Sequence, residues 1–267
     1  MTTQFTYAEI KAAQQRISPY IRRTPQFELE LDTSLRVSAK LENLQLSGSF
    51  KIRGALNTVL SLSEAELKRG LVTASGGNHG MGVATAGALT RTPTTIYLPE
   101  NTPQSKIDKL RKVATEVVVQ GAVWDDANAL ALAAAETGRC YIHPFADVRV
   151  LAGQGTLGME ILQDAPDLDV LLVAIGGGGL ISGVATAVKT LKPDIKVIGV
   201  EAVGAPTLKE SIDAGTLVTL EKIETKAGTL APRRSADINF RIISELVDDI
   251  VLVTDPEMKS AAEWLWE

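Results

Sequence analysis

Three short stretches carry residues whose types and spacing suit chemistry. In "SGSFKIRGA" (residues 47–55) Lys51 stands between Phe50 and Ile52, with Gly48 and Gly54 to either side. Lysines usually sit in water; one set among apolar and small residues loses its proton more readily and becomes a nucleophile toward carbonyls. In "AIGGGGLISGVATAVKTL" (174–191) an apolar run ends, four glycines follow (Gly176, Gly177, Gly178 and Gly179), and a helical pattern begins near Leu180. Consecutive glycines let backbone N–H groups converge on an anion at a helix start. In "TASGGNHGMGVA" (73–84) Ser75, Gly76, Gly77, Asn78 and His79 make a second turn into a helix, suited to a carboxylate. Each has a plainer alternative: a solvated lysine, a flexible strand-to-helix turn, a structural histidine. The first glycine run is not GxGxxG, and although Glu201 follows Gly179 by 22 positions, it ends the next apolar run. A dinucleotide site therefore remains a rival reading.

The elements that must position these residues are legible as alternating patterns. Candidate strands are "SAKLEN" (38–43), "LVTAS" (71–75), "TTIYL" (94–98), "EVVVQ" (116–120), "DVLLVAI" (169–175) and "KVIGVE" (196–201). Several are apolar almost throughout, as strands buried on both faces must be. Between them lie helical stretches such as "QSKIDKLRKVA", in which Ile107, Leu110 and Val113 recur every three residues, and the alanine-rich "DDANALALAAAET" with aspartates at its start. The alternation predicts an α/β protein of open, twisted, mainly parallel sheets flanked by helices. With no linker or repeat, the division expected is by chain crossing: a small domain of residues 48–145 and a large one of residues 1–47 plus 146–267, with a ligand cleft between them.

Composition narrows the partners. Aromatic residues make up 4% of the chain and its net charge is −5, which argue against nucleic acid. The single cysteine, Cys140, excludes an internal disulfide and suits a reducing compartment. The amino-terminal residues hold no apolar run of signal length, and the apolar segment 170–185 is too short and glycine-rich to span a bilayer. A soluble, cytoplasmic protein without nucleic-acid or membrane partners is expected.

Two anion-binding loops and a recessed lysine together describe a pyridoxal 5'-phosphate site. The chain resembles the fold-type II pyridoxal-phosphate-dependent serine/threonine dehydratases and serine racemases, whose fold is that of the tryptophan synthase β subunit. The resemblance is carried by "AKLENLQLSGSFKIRGA", "SGGNHG", "HPFADVRVLAGQGTLGMEI", "GGGGL", "VIGVEAVGAP" and "ISELVDDIVLV". It implies Lys51 as the Schiff-base lysine and general base, Phe50 against the pyridine ring, and Gly176–Gly179 around the phosphate. Asn78 would then bond the cofactor's phenolic oxygen, while Ser75, Gly76, Gly77 and His79 line the substrate carboxylate. The implied reaction is β-elimination from L-threonine, L-serine or a related β-hydroxy amino acid to a 2-oxo acid and ammonia, by a homodimer.

Departures from the family pattern sharpen the reading. Racemases of the family carry a serine where this chain has Gly76, so the second-face proton donor is missing and elimination is favoured. The loop "SGGNHG" differs from the Thr-Ser-Gly-Asn-Thr-Gly type of the β-replacement synthases. Glu201 and Ala205 match a family cation site, but Thr207 replaces an aspartate, which favours a monovalent ion such as K⁺ over Mg²⁺; the alternative is a strand-end charge. "TKAGTLAPRR" (225–234) replaces a Thr-Ile-Ala-Asp-Gly segment near the cofactor, and Arg233 and Arg234 are either a second carboxylate site or a solvated pair. The family's C-terminal segments, among them one contacting the pyridine nitrogen, are absent, so part of the fold is expected to be missing, with Trp264 and Leu265 left exposed. A non-catalytic amino acid-binding module is the remaining alternative.

Overall fold

A computed structural model describes residues 5–31 and 33–266. The chain enters through α1 (Tyr7–Ile17), started by a reciprocal capping box between Thr6 and Glu9. An antiparallel hairpin follows, β1 (Gln26–Leu29) with β2 (Val37–Lys40). Next come α2 (Lys51–Val59), α3 (Glu64–Arg69), β3 (Leu71–Ala74), α4 (Asn78–Thr90), β4 (Thr94–Leu98), α5 (Gln104–Arg111), β5 (Glu116–Val119), α6 (Trp124–Glu136) and β6 (Cys140–Tyr141). These strands form a parallel sheet in the order β5-β4-β3-β6. The rest of the chain is α7 (Val148–Asp164), β7 (Val170–Ala174), α8 (Gly179–Leu191), β8 (Lys196–Ala202), α9 (Thr207–Ala214), α10 (Asp237–Leu246), β9 (Asp249–Val253) and α11 (Asp255–Trp266). Here the parallel order is β7-β8-β9.

The predicted parallel α/β architecture is present, with three differences. The segment "SAKLEN" is a shorter strand in an antiparallel hairpin, because β1 pairs back on it before any helix intervenes. The strands β1, β6 and β9 are not among those expected; β6 is only two residues long, below what periodicity resolves. The third concerns β7, expected to be buried on both faces. Its side chains at Val170, Leu172 and Ala174 face outward, with Leu172 64% exposed, and Val251 of β9 lies on the same face. An apolar run reports that a strand is suited to burial, not which of its faces the described residues cover. Trp264 and Leu265 on α11 are exposed, as expected.

Each sheet has its own core. Ile52 and Leu56 of α2 pack with Leu71, Val83 and Ile96 in one; Ile181 and Val184 of α8 pack with Ile175, Val197 and Leu208 in the other. The long helix α7 joins them through glycines that let backbones touch. A Cβ at Gly153 would lie 2.4 Å from the carbonyl oxygen of Arg53 on α2, and one at Gly183 of α8 would lie 2.3 Å from that of Leu151. Neither position admits any other residue without separating two helices. Substituting Gly153→Ala is expected to cost about 1–3 kcal/mol of stability by overpacking this seam. The control Gly228→Ala, with open space around its Cβ position, should stay within about 0.5 kcal/mol. Urea unfolding of the two variants compares them directly.

Candidate active site

Lys51 is the first residue of α2, and its ammonium donates to the carbonyl oxygen of Pro144 at 2.9 Å. Phe50 lies beside it, with the ring centroid 5.2 Å from Nζ. Burial disfavours the charged form and pulls the Lys51 pKa down to about 8. The ionisable neighbours do not offset this: burial pushes His79 down to about 3 and His143 down to about 4. Both rings are therefore neutral at pH 7. The Nδ1 atom of His143 accepts the N–H groups of Phe145 and Ala146 at 3.1 and 2.8 Å, which leaves the ring proton on Nε2.

The four-glycine run is the turn between β7 and α8. Gly178 has φ +88° and serves as N-cap with no side-chain hydrogen bond, so the first N–H groups of α8 have no cap. Packing as well as conformation selects these glycines: a Cβ at Gly177 would lie 2.2 Å from the Phe145 ring, and one at Gly179 would lie 2.9 Å from the Phe145 backbone. Two side chains from α10 and the turn before it hold the loop from behind. Ser235 Oγ and Asn239 Nδ2 donate to the Gly177 carbonyl at 2.9 and 2.7 Å, and Asn239 Nδ2 also reaches the Phe145 carbonyl at 3.0 Å. The Oδ1 atom of Asn239 is buried without a partner among the described residues.

The second loop runs from β3 into α4. Ser75 Oγ accepts the Gly77 N–H at 3.2 Å, and a Cβ at Gly80 would lie 1.9 Å from the Ser75 carbonyl, so the turn closes tightly. Asn78 is exposed at the first position of α4, and Gly77 provides no side-chain cap. The imidazole of His79 does not line this loop as expected. It is 5% exposed, with Nε2 3.1 Å from Thr73 Oγ1 and 2.9 Å from the Ile142 carbonyl, because helix geometry turns this position toward the sheet. Only its backbone N–H remains to serve the loop.

Two bridging segments bring the motifs together; the resemblance points to both strings, but not to the contacts they make. Pro144 receives the Lys51 amine while its neighbour Phe145 packs on Gly177 and Gly179. The 3-10 turn Gly228–Leu230 spans the two loops: Thr229 Cγ2 is 3.7 Å from the Cβ position of Gly77, and Leu230 Cα is 3.1 Å from that of Gly176. The string "HPFADVRV" held the first signal, an aromatic residue two positions before the helix cap Asp147, and "TKAGTLAPRR" held the second through the resemblance; Asn239 and Ser235 gave none.

Of the expected cation ligands Glu201, Ala205 and Thr207, the side chains of Glu201 and Thr207 make hydrogen bonds within the protein. Both carboxylate oxygens of Glu201 accept backbone N–H groups of α9, from Leu208 at 2.9 Å and Lys209 at 2.8 Å, so the residue caps a helix. Burial raises its pKa to about 7. Thr207 donates its hydroxyl proton to the Pro232 carbonyl at 2.6 Å. Among the described residues no cluster of acidic, histidine or cysteine side chains of metal-binding form occurs. Arg233 and Arg234 donate to the carbonyls of Leu220 and Leu217, fixing their own loop.

A desolvated amine and an uncapped glycine turn at a helix N-terminus fit a phosphate-bearing aldehyde cofactor. The family model for pyridoxal-phosphate dependent enzymes matches residues 17–267. The chain belongs to that family. It is 42% identical over 266 residues to an L-threonine ammonia-lyase of Thermotoga maritima, covering 98% of this chain and 66% of the relative. The processed form of threonine deaminase isoform 2 from Solanum lycopersicum superposes with a TM-score of 0.92 at 36% identity, over 97% of this chain and 76% of that one. Maize serine racemase superposes at 0.93 with 34% identity, over 98% and 80%. The chain thus spans about two thirds of the length of the threonine ammonia-lyase it matches. Since the free amine is the reactive form, the rate at which Lys51 is acylated should rise with pH and level off above about 8. An unperturbed lysine would keep rising to about 10.4. Acylation with acetic anhydride, read peptide by peptide by mass spectrometry, measures the midpoint.

Proposed function

We propose that this chain catalyses β-elimination from L-threonine, L-serine or a related β-hydroxy amino acid, releasing a 2-oxo acid and ammonia. The observation that carries the proposal is the desolvated Lys51 amine, tethered through Pro144 and Phe145 to the uncapped glycine turn. In this reading Gly176–Gly179 hold the cofactor phosphate, Phe50 lies against its ring and Asn78 bonds its phenolic oxygen. Ser75, Gly76, Gly77 and the His79 backbone N–H receive the substrate carboxylate. When bound, pyridoxal phosphate supplies an electron sink that acidifies the substrate Cα–H. Lys51, freed as a neutral amine, takes that proton, and its lowered pKa keeps the base form within reach near neutral pH.

Elimination needs a proton moved on one face only, which suits position 76. A Cβ there would lie 3.1 Å from Thr102 Cγ2 and 3.4 Å from Leu98 Cδ2, so the loop carries no second-face donor and has little room for one. Racemisation is disfavoured on the same ground. The proposal places the site between bodies formed by residues 48–145 and by residues 1–47 with 146–267. It takes the protein as a cytoplasmic homodimer, with the exposed apolar residues of β7 and α11 as surface available for association. No helix among the described residues is long and apolar enough to cross a membrane.

With pyridoxal phosphate and L-threonine or L-serine added, the protein should release a 2-oxo acid, and Lys51→Ala should lower the rate by about 10²–10⁴-fold or more. Appearance of the D-amino acid without oxo acid would favour racemisation. Saturable amino acid binding with no product would favour a binding module.

A further inference from the structure

Arg53 is fully buried, which a charged side chain tolerates only when paired. All five of its N–H donors are engaged. Nε and Nη2 donate to Glu42 at 2.7 and 2.8 Å, Nη1 and Nη2 to Glu160 at 2.8 and 2.9 Å, and Nη1 also reaches Thr156 at 3.2 Å. The two carboxylates come from different parts of the fold: Glu42 from the segment after β2, Glu160 from α7. Each is held in turn, since Thr24 donates to Glu42 at 2.6 Å and Lys40 pairs with Glu160 at 3.2 Å and Asp164 at 2.9 Å. Burial pulls the Arg53 pKa down, but the two carboxylates outweigh it and the net shift is upward.

A buried ion cluster is weak evidence for stability, because well-packed apolar residues in its place are often as stable or more so. What a doubly bidentate guanidinium fixes is orientation, since a planar fork admits one geometry for each carboxylate. Arg53 lies two residues after Lys51, and side chains two apart on a helix point in roughly opposite directions. Clamping Arg53 on one side of the first turn of α2 therefore fixes where the Lys51 amine projects on the other.

We propose that Arg53 is a positioning residue for Lys51: its fork to Glu42 and Glu160 sets the seat and the desolvation of the amine. The inference rests on reading Lys51 as the cofactor-bearing amine. The titratable groups facing that amine are His79 on α4 and His143 after β6, both neutral. Its proton affinity thus follows how deeply it is seated.

The test is the pH profile of Lys51 acylation by acetic anhydride in cofactor-free protein, together with the affinity for pyridoxal phosphate. Two variants are used: Arg53→Lys, which keeps the charge but loses the fork, and Glu160→Gln, which breaks one fork while Glu42 keeps the guanidinium paired. Variants that retain cooperative unfolding should show a Lys51 midpoint raised from about 8 toward the ordinary value of about 10.4. Cofactor affinity should fall about tenfold or more, and the shift should be larger for Arg53→Lys. A folded variant with midpoint and affinity unchanged overturns the proposal and leaves Arg53 a structural residue; if Arg53→Lys does not fold, Glu160→Gln decides. The labelling readout needs neither cofactor nor turnover. A wild-type chain that shows the depressed midpoint but turns nothing over would count against the elimination reading alone.

Discussion

The close approach of α7 to two other helices is the constraint on which the rest of this structure depends. The backbone of α7 touches α2 at Gly153 and α8 near Gly183, at separations no side chain survives. The N-terminus of α2 carries Lys51 and that of α8 carries the four-glycine turn. Both of these helix ends are therefore referred to a single rod. Their relation is set by backbone contact, which is stiffer than side-chain packing because no rotamer can yield.

On this frame the site is assembled by neighbours that are not themselves reactive. The segment from His143 to Ala146 links lysine to glycine turn, and the turn Gly228–Leu230 links that loop to the one after β3. The chemistry is poised by withdrawing water, not by adding charge. Neutral His79 and His143 flank the amine, and burial alone accounts for its depressed pKa. An amine held this way is present as the free base at a lower pH than one surrounded by solvent. The ion cluster around Arg53 stands on the far side of the same helix turn, where charge can be buried because it is fully paired.

Much of this was legible in the sequence because it is local. Lys51 among small and apolar residues, two glycine turns after apolar runs, and alternating strands and helices are each patterns confined to a short stretch of chain. What escaped is long-range or ambiguous by face. His79 follows Asn78 directly, yet one residue of helix rotation sends it into the core while Asn78 stays outside. Glu201 reads as a cation ligand or a strand-end charge until α9 is seen to begin beside it, where it caps the helix. The outward face of β7 depends on what lies over the sheet, which its own residues do not encode. Asn239 and Ser235 lie about 60 residues from the glycine turn they support, so no spacing could have found them.

The central claim is that Lys51, and no other amine, carries the cofactor. It is tested most directly by incubating the protein with pyridoxal phosphate, reducing with borohydride, and mapping the stable pyridoxyl adduct by peptide mass spectrometry. The account predicts one adduct per chain, on the peptide containing Lys51. Adducts scattered over exposed lysines, with Lys51 unmodified, would contradict it.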